Sequence, residues 1–147
     1  MNYLALKKNI KIRKAPVGVI GLGYVGMPTA LALVKAGIKV IGIDIDRAKV
    51  RQLNSSKTFN SKKFRASANF AEIKKCKVIL IAVPTPITKN KTPDTSAIEA
   101  ATKNIAKYLT KGSLVILEST TYPGPTDALV RPLLEKPGRG AGPPATP

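Results

Sequence analysis

Residues 17–26 read Val17-Gly18-Val19-Ile20-Gly21-Leu22-Gly23-Tyr24-Val25-Gly26, and Asp44 follows eighteen positions after the last of them. The order is a buried strand, a Gly-x-Gly-x-x-Gly turn, a helix, and a second strand ending in an acid. That is the physical specification of a dinucleotide-binding βαβ unit. Gly21 permits the tight strand-to-helix turn. Gly23 has no side chain, so a pyrophosphate can approach the backbone. Gly26 lets the helix pack closely. The helix N-terminus offers N–H groups and a positive dipole end to phosphates. Asp44 stands where a carboxylate accepts hydrogen bonds from ribose hydroxyls.

A glycine-rich turn alone is weak evidence, but here its flanks agree. Ala30, Leu31, Leu33 and Val34 recur at helical spacing, and Gly37 is placed as the stop. Lys39-Val40-Ile41-Gly42-Ile43-Asp44 reads as a second buried strand. Farther on, Asp46 is placed to cap a helix to about Leu53, and residues 64–67 form a short strand. Asn69 caps a short helix through Lys75. Lys77–Val83 is a strong central strand. Asp94 or Thr95 opens a helix to about Leu109, with Glu99 near a capping-box position. Ser113–Leu117 is another buried strand, Tyr122–Pro125 a turn, and Thr126 or Asp127 opens a last helix through Leu134. Alternating strands and helices predict an α/β fold with a mostly parallel sheet.

The 147 residues suit one domain with flanks. Residues 1–14 read as a basic, disordered arm and 15–136 as the folded domain. Residues 137–147, rich in Pro, Gly and Ala, read as a disordered tail. The longest apolar run, Val78–Val83, is far below the roughly 18 residues a membrane span needs, and no secretory pattern opens the chain. A soluble, cytoplasmic protein without membrane contact is expected. The single cysteine, Cys76, excludes an internal disulfide, and with no histidine no zinc-type site is expected. The net charge of +17 raises a nucleic-acid reading. The bases are scattered, however, as Lys7-Lys8, Lys11 to Lys14, Lys62-Lys63 and Lys74-Lys75. Aromatic content is only 5%, too little for a stacking platform. A solvated lysine-rich surface is the favoured reading, with nucleic acid the lesser one.

Four segments resemble the UDP-glucose/GDP-mannose dehydrogenase family, the nucleotide-sugar 6-dehydrogenases. They are Gly-Leu-Gly-Tyr-Val-Gly at 21–26, Val83-Pro84-Thr85-Pro86, the Pro93-Asp94 helix start, and Glu118-Ser119-Thr120-Thr121-Tyr122-Pro123-Gly124. The last looks like the branch acting on UDP-N-acetylglucosamine and related UDP-sugars. It argues against a 6-phosphogluconate-type enzyme. The resemblance covers about residues 15–136, the N-terminal cofactor domain only. It implies a Rossmann-like, doubly wound sheet with helices on both faces, and NAD as cofactor. By it, Gly21, Gly23, Tyr24, Val25 and Gly26 match the pyrophosphate loop and Asp44 the ribose acid. Lys49 matches a basic residue beside the ribose, and Thr85 and Thr120 the threonines on the nicotinamide side. Strand-end hydroxyls suit that crevice, which lies at the carboxyl ends of parallel strands.

The family oxidises a sugar C6 alcohol to a carboxylate with two NAD, through a downstream cysteine, and with Ser-Pro-Glu, Lys and Asn groups assisting. None of these motifs is in this sequence. Cys76 precedes a buried strand at the wrong end of the sheet, so it reads as a core residue even though flanking lysines could lower its pKa. Glu118 reads as loop framework. No catalytic residue is assigned. A UDP-sugar substrate and a homo-oligomer are expected only of a full-length form, and the chain by itself is expected to be inactive. The segment Asn54–Lys63 is shorter than the family's usual one, which alters the adenine edge. The tail departs from the family pattern and reads as a premature end. A stand-alone dinucleotide- or nucleic-acid-binding module is the alternative.

Overall fold

A computed structural model describes residues 3–11, 14–56, 62–119 and 124–135. Five strands form one sheet: β1 (Val17–Ile20), β2 (Val40–Ile43), β3 (Phe64–Ser67), β4 (Val78–Ile81) and β5 (Leu114–Leu117). Their order is β3-β2-β1-β4-β5, and every pairing is parallel. The order reverses between β1 and β4, so a crevice opens where the β1 and β4 exits diverge.

Alternation along the strands divides the core between two faces. Ile20, Ile41, Ile43, Ile79 and Ile81 point one way, onto α4 (Ser96–Tyr108) and a final helical segment. That segment is a π-helical turn, Thr126–Val130, running into α5 (Arg131–Leu134). Val17, Val19, Val40, Val78 and Leu80 point the other way, into a cluster with Ala30 of α2 (Gly26–Lys35), Val50 of α3 (Arg47–Ser55) and Leu6 of α1 (Tyr3–Lys11). Four-residue strands suffice because three of the five are buried along their whole length.

Three expectations need correction. The lead, expected as a disordered arm, contains α1, because Leu6 buries itself against the sheet and the Asn9 carbonyl accepts from the N–H of Lys14 and of Ala15. β5 is not a buried strand. It lies at the sheet edge, where Leu114 and Ile116 stay about 40% exposed while Val115 and Leu117 pack inward. The capping box at α4 is not formed: the Asp94 carboxylate accepts from the Ser96 N–H, and Glu99 pairs with Lys103 instead. The tail, the first half of the Tyr122–Pro125 turn and residues 57–61 of the 54–63 segment lie outside the described residues.

Caps at two other helices follow the sequence. Asp46 accepts from the N–H groups of Ala48 and Lys49 at the start of α3, and Asn69 accepts from Ala71 N–H at the 3₁₀ helix Phe70–Lys75. The outer edge of β3 is closed by Asn54, whose amide donates to the Ala66 carbonyl and accepts from the Ala66 N–H, both at 2.9 Å.

Candidate functional site

The three glycines of the turn have three different jobs. Gly21 has φ +89°, and a Cβ there would stand 2.6 Å from the Ala82 carbonyl oxygen, on the chain leaving β4. Gly26 opens α2 so close to the turn that a Cβ would overlap the Gly21 carbonyl. Gly23 differs from both: a Cβ there would meet nothing within 4 Å. The first two glycines let the turn fold. The third keeps open a space that the fold itself leaves empty.

That space adjoins the start of α2, where Val25 is the N-cap and no side chain caps the helix. No acidic residue occupies the first turn. An anion placed there meets backbone donors and the positive end of the dipole without displacing a carboxylate. Tyr24 and Val25 turn their side chains outward, Tyr24 wholly exposed.

Asp44 follows β2, and its carboxylate is buried. Oδ2 accepts from the Leu22 N–H at 2.9 Å and from Lys49 Nζ at 2.9 Å, and Oδ1 accepts from the Asp46 N–H at 2.9 Å. Burial by itself raises the carboxyl pKa. The N–H of Asp46, the Lys49 ammonium and the N–H of Leu22 together outweigh it and hold the group below its ordinary value. Asp44 is therefore ionised at neutral pH and joins the glycine turn to the end of β2. Three of its roughly four acceptor positions are used, which leaves one on Oδ1. Lys49 is drawn against Asp44.

Thr85 is half-buried in the segment that leaves β4 past Gly21. Thr120 lies outside the described residues. Its neighbour Ser119 donates to the Val83 carbonyl at 2.8 Å, and the Glu118 N–H bonds the Ile81 carbonyl, tying the exits of β4 and β5 together. An open depression of about 540 Å³ lies beside the end of β3, lined by Arg47, Val50, Arg51, Ser67, Ala68 and Asn69. It sits outward of Asp44, not over the glycine turn, and the geometry of the turn is the better guide to the site.

Cys76 is fully buried, with Sγ 3.8 Å from the Glu72 carbonyl oxygen and packed under Gly18. Its pKa is pushed up to about 11, first by burial and then by the Glu72 charge; Lys75 opposes only weakly. The flanking lysines do not lower it, and Cys76 sits in the core as its position implied. No group of metal-ligating side chains occurs among the described residues, nor does a helix long and apolar enough to cross a membrane.

The sequence reading missed Leu22. Its N–H holds Asp44, and its side chain fills the notch over Gly42, where a Cβ would lie 2.7 Å from Leu22 Cδ2. Gly42 in the middle of a β-branched strand was the available signal. Also missed was the bridge between Ile87 and Pro93, which folds the β4–α4 connection back on itself.

Comparison with known proteins bears directly on this geometry. Residues 15–142 match the UDP-glucose/GDP-mannose dehydrogenase family, NAD binding domain. The chain belongs to this family. It is 36% identical over 130 residues to a UDP-N-acetyl-D-glucosamine 6-dehydrogenase from Pseudomonas aeruginosa, covering 82% of this chain and 31% of that protein. It is 40% identical over 124 residues to a UDP-N-acetyl-D-mannosamine dehydrogenase from Salmonella typhi, covering 77% and 30%. Among solved structures it resembles the NDP-N-acetyl-D-galactosaminuronic acid dehydrogenase from Methanosarcina mazei Go1. There the TM-score is 0.77 at 30% identity, over 92% of this chain and 35% of that one. The chain is thus a Rossmann-like NAD-binding domain of a nucleotide-sugar dehydrogenase family, and it spans about a third of the length of these relatives.

Proposed function

We propose that this domain holds NAD along the strand ends for a nucleotide-sugar 6-dehydrogenase acting on a UDP-sugar, and that this 147-residue chain does not turn over by itself. The observation that carries the reading is the open space over Gly23, set between the uncapped start of α2 and the buried carboxylate of Asp44. The pyrophosphate occupies that space, against the backbone of Gly21, Gly23, Tyr24, Val25 and Gly26. The adenosine ribose takes the remaining acceptor position on Asp44, with Lys49 beside it. Thr85 and Thr120 serve the nicotinamide side. Bound there, NAD supplies the hydride acceptor for oxidation of an alcohol carbon.

Asp44 also orders the choice between cofactors. Its charge stands where NADP would carry a 2′-phosphate, and Lys49 is already engaged by that carboxylate, which leaves less positive charge to offset it. NAD is therefore favoured over NADP. The chain's one thiol is buried and protonated at neutral pH, so it cannot attack a substrate aldehyde. Catalytic groups for the sugar belong to a full-length form, as do the substrate pocket and any homo-oligomer, and the setting is cytoplasmic. Calorimetric titration with NAD and NADP tests the reading. Equal or tighter NADP binding refutes the role of Asp44, and absence of any dinucleotide binding refutes the site.

A further inference from the structure

The lysines that are scattered in the sequence are gathered by the fold. In a parallel sheet every crossover returns the chain to the same end, so all strands start together. The first residues of the strands, Val17, Val40, Phe64, Val78 and Leu114, lie in one register row. The residues immediately before Phe64, Val40 and Val78 are Lys63, Lys39 and Lys77. Backbone bonds fix this row: the Lys63 carbonyl accepts from Val40 N–H, the Lys39 carbonyl from Val17 N–H, and the Lys77 carbonyl from Leu114 N–H. Lys14, Lys62 and Lys111 on the loops beside it, and Lys74 and Lys75 at the end of the 3₁₀ helix, are exposed. With strands about 4.8 Å apart, the row spans about 19 Å.

The acids are segregated to the other end. Asp44, Asp46, Asp94, Glu99, Glu118 and Asp127 all follow strand ends or open the helices that leave them. Of the 8 acids only Glu72 and Glu135 remain. Glu135 pairs with Arg131, and Glu72 is taken up by Lys75 and Arg65. Helix dipoles account for part of the pattern, since Lys8 and Lys11, Lys35, Lys74 and Lys75, and Lys107 sit in last turns. They do not account for Lys39, Lys62, Lys63 or Lys111, which lie beyond the helices.

We propose that this strand-start face binds the phosphate backbone of a nucleic-acid duplex, without sequence preference. Lysines anchored side by side on one edge of a sheet match a closely charged backbone. A single strand fits less well, because stacking platforms are lacking. An anionic bilayer is the competing surface, because Tyr3 and Leu4 of α1 are largely exposed near Ile10, and the test below separates it from the duplex. The face is opposite the dinucleotide crevice and independent of it.

The test is fluorescence anisotropy of a labelled DNA duplex with the whole chain across a salt series, using Lys39→Gln/Lys62→Gln against Lys89→Gln/Lys91→Gln. The second pair is exposed in the β4–α4 connection at the crevice end. The parent should show a linear fall of log K with log salt. Each lost phosphate contact removes about 0.9 from the slope, so the first pair should flatten it by about 1.8 and the second should leave it unchanged. Saturating NAD should not compete. The proposal is overturned by no duplex binding at low salt, by equal effects of the two pairs, by displacement with NAD, or by tighter binding to phosphatidylcholine vesicles containing phosphatidylserine than to the duplex.

Discussion

Replacing the three glycines of the turn one at a time should separate folding from binding. Gly26→Ala puts a Cβ onto the Gly21 carbonyl, a backbone atom that cannot swing away. Overpacking of this kind costs about 3 kcal/mol. For a chain of this size that is a fall of roughly 10 °C in Tm. Gly21→Ala combines a left-handed φ of +89° with a Cβ 2.6 Å from the Ala82 oxygen. The conformation alone costs roughly 1–2 kcal/mol before the contact is counted. Gly23→Val meets neither problem: its φ is outside the left-handed region and the added atoms enter open space. Its stability should stay within about 1 kcal/mol of the parent. That space is where we place the pyrophosphate, so NAD affinity should drop by at least about a hundredfold, near 2.8 kcal/mol. Circular-dichroism melts and calorimetry with NAD read the two effects separately. If Gly23→Val binds NAD within a few-fold of the parent, the phosphates are elsewhere. If it melts as low as Gly26→Ala, the open space is filled in solution.

Asp44→Ala should weaken NAD by about 1–3 kcal/mol in the same titrations, the scale of hydrogen bonds to a charged group. It should also narrow the gap between NAD and NADP. Because the folded pKa of Asp44 is lowered, its contribution to stability is present above the unfolded value of 3.8 and is lost as pH falls through the folded value, so the acid limb of a pH–stability curve should shrink in this variant. Cys76 has the opposite sign: its folded pKa near 11 exceeds the unfolded 9.0, so its stabilisation is complete below pH 9.0 and fades as pH rises toward 11. Comparing Cys76→Ala with the parent by denaturant melts, about 2–3 kcal/mol of the parent's advantage should disappear across that window; a constant difference would contradict the buried thiol. The chain should produce no NADH from UDP-N-acetylglucosamine, UDP-glucose or UDP-N-acetylmannosamine, and Cys76→Ser should match the parent; steady turnover lost in that variant would overturn the reading of the cysteine.

The strands and helices around the turn were legible because local signals and tertiary context agree there. Residues 64–67 form β3 as expected, and Asp46 and Asn69 cap as their side chains suggest. β5 was misread because an edge strand with β-branched residues has the same pattern as a buried one; only the absence of a further neighbour in the described sheet distinguishes them. α1 was missed because one buried leucine among lysines carries little periodic signal. At the site, Gly21, Gly26 and Asp44 could be found from spacing. The grip of Leu22 on Asp44 and Gly42 had only Gly42 as a local signal, since it joins the turn after β1 to β2 across the chain. The lysine face was invisible for the same reason: its members are far apart in sequence and meet only because the strands run parallel in register.

The Asn54 amide gives the sheet a direction of growth. By taking both the N–H and the C=O of Ala66, it works as a stopper on the β3 side, and a stray strand finds no ladder to join there. On the β5 side the described sheet has no such stopper, and Leu114 and Ile116 stand partly bare. Further polypeptide, whether its own continuation or a neighbour's, can therefore lengthen this sheet from one side only. Misassembly should obey the same polarity.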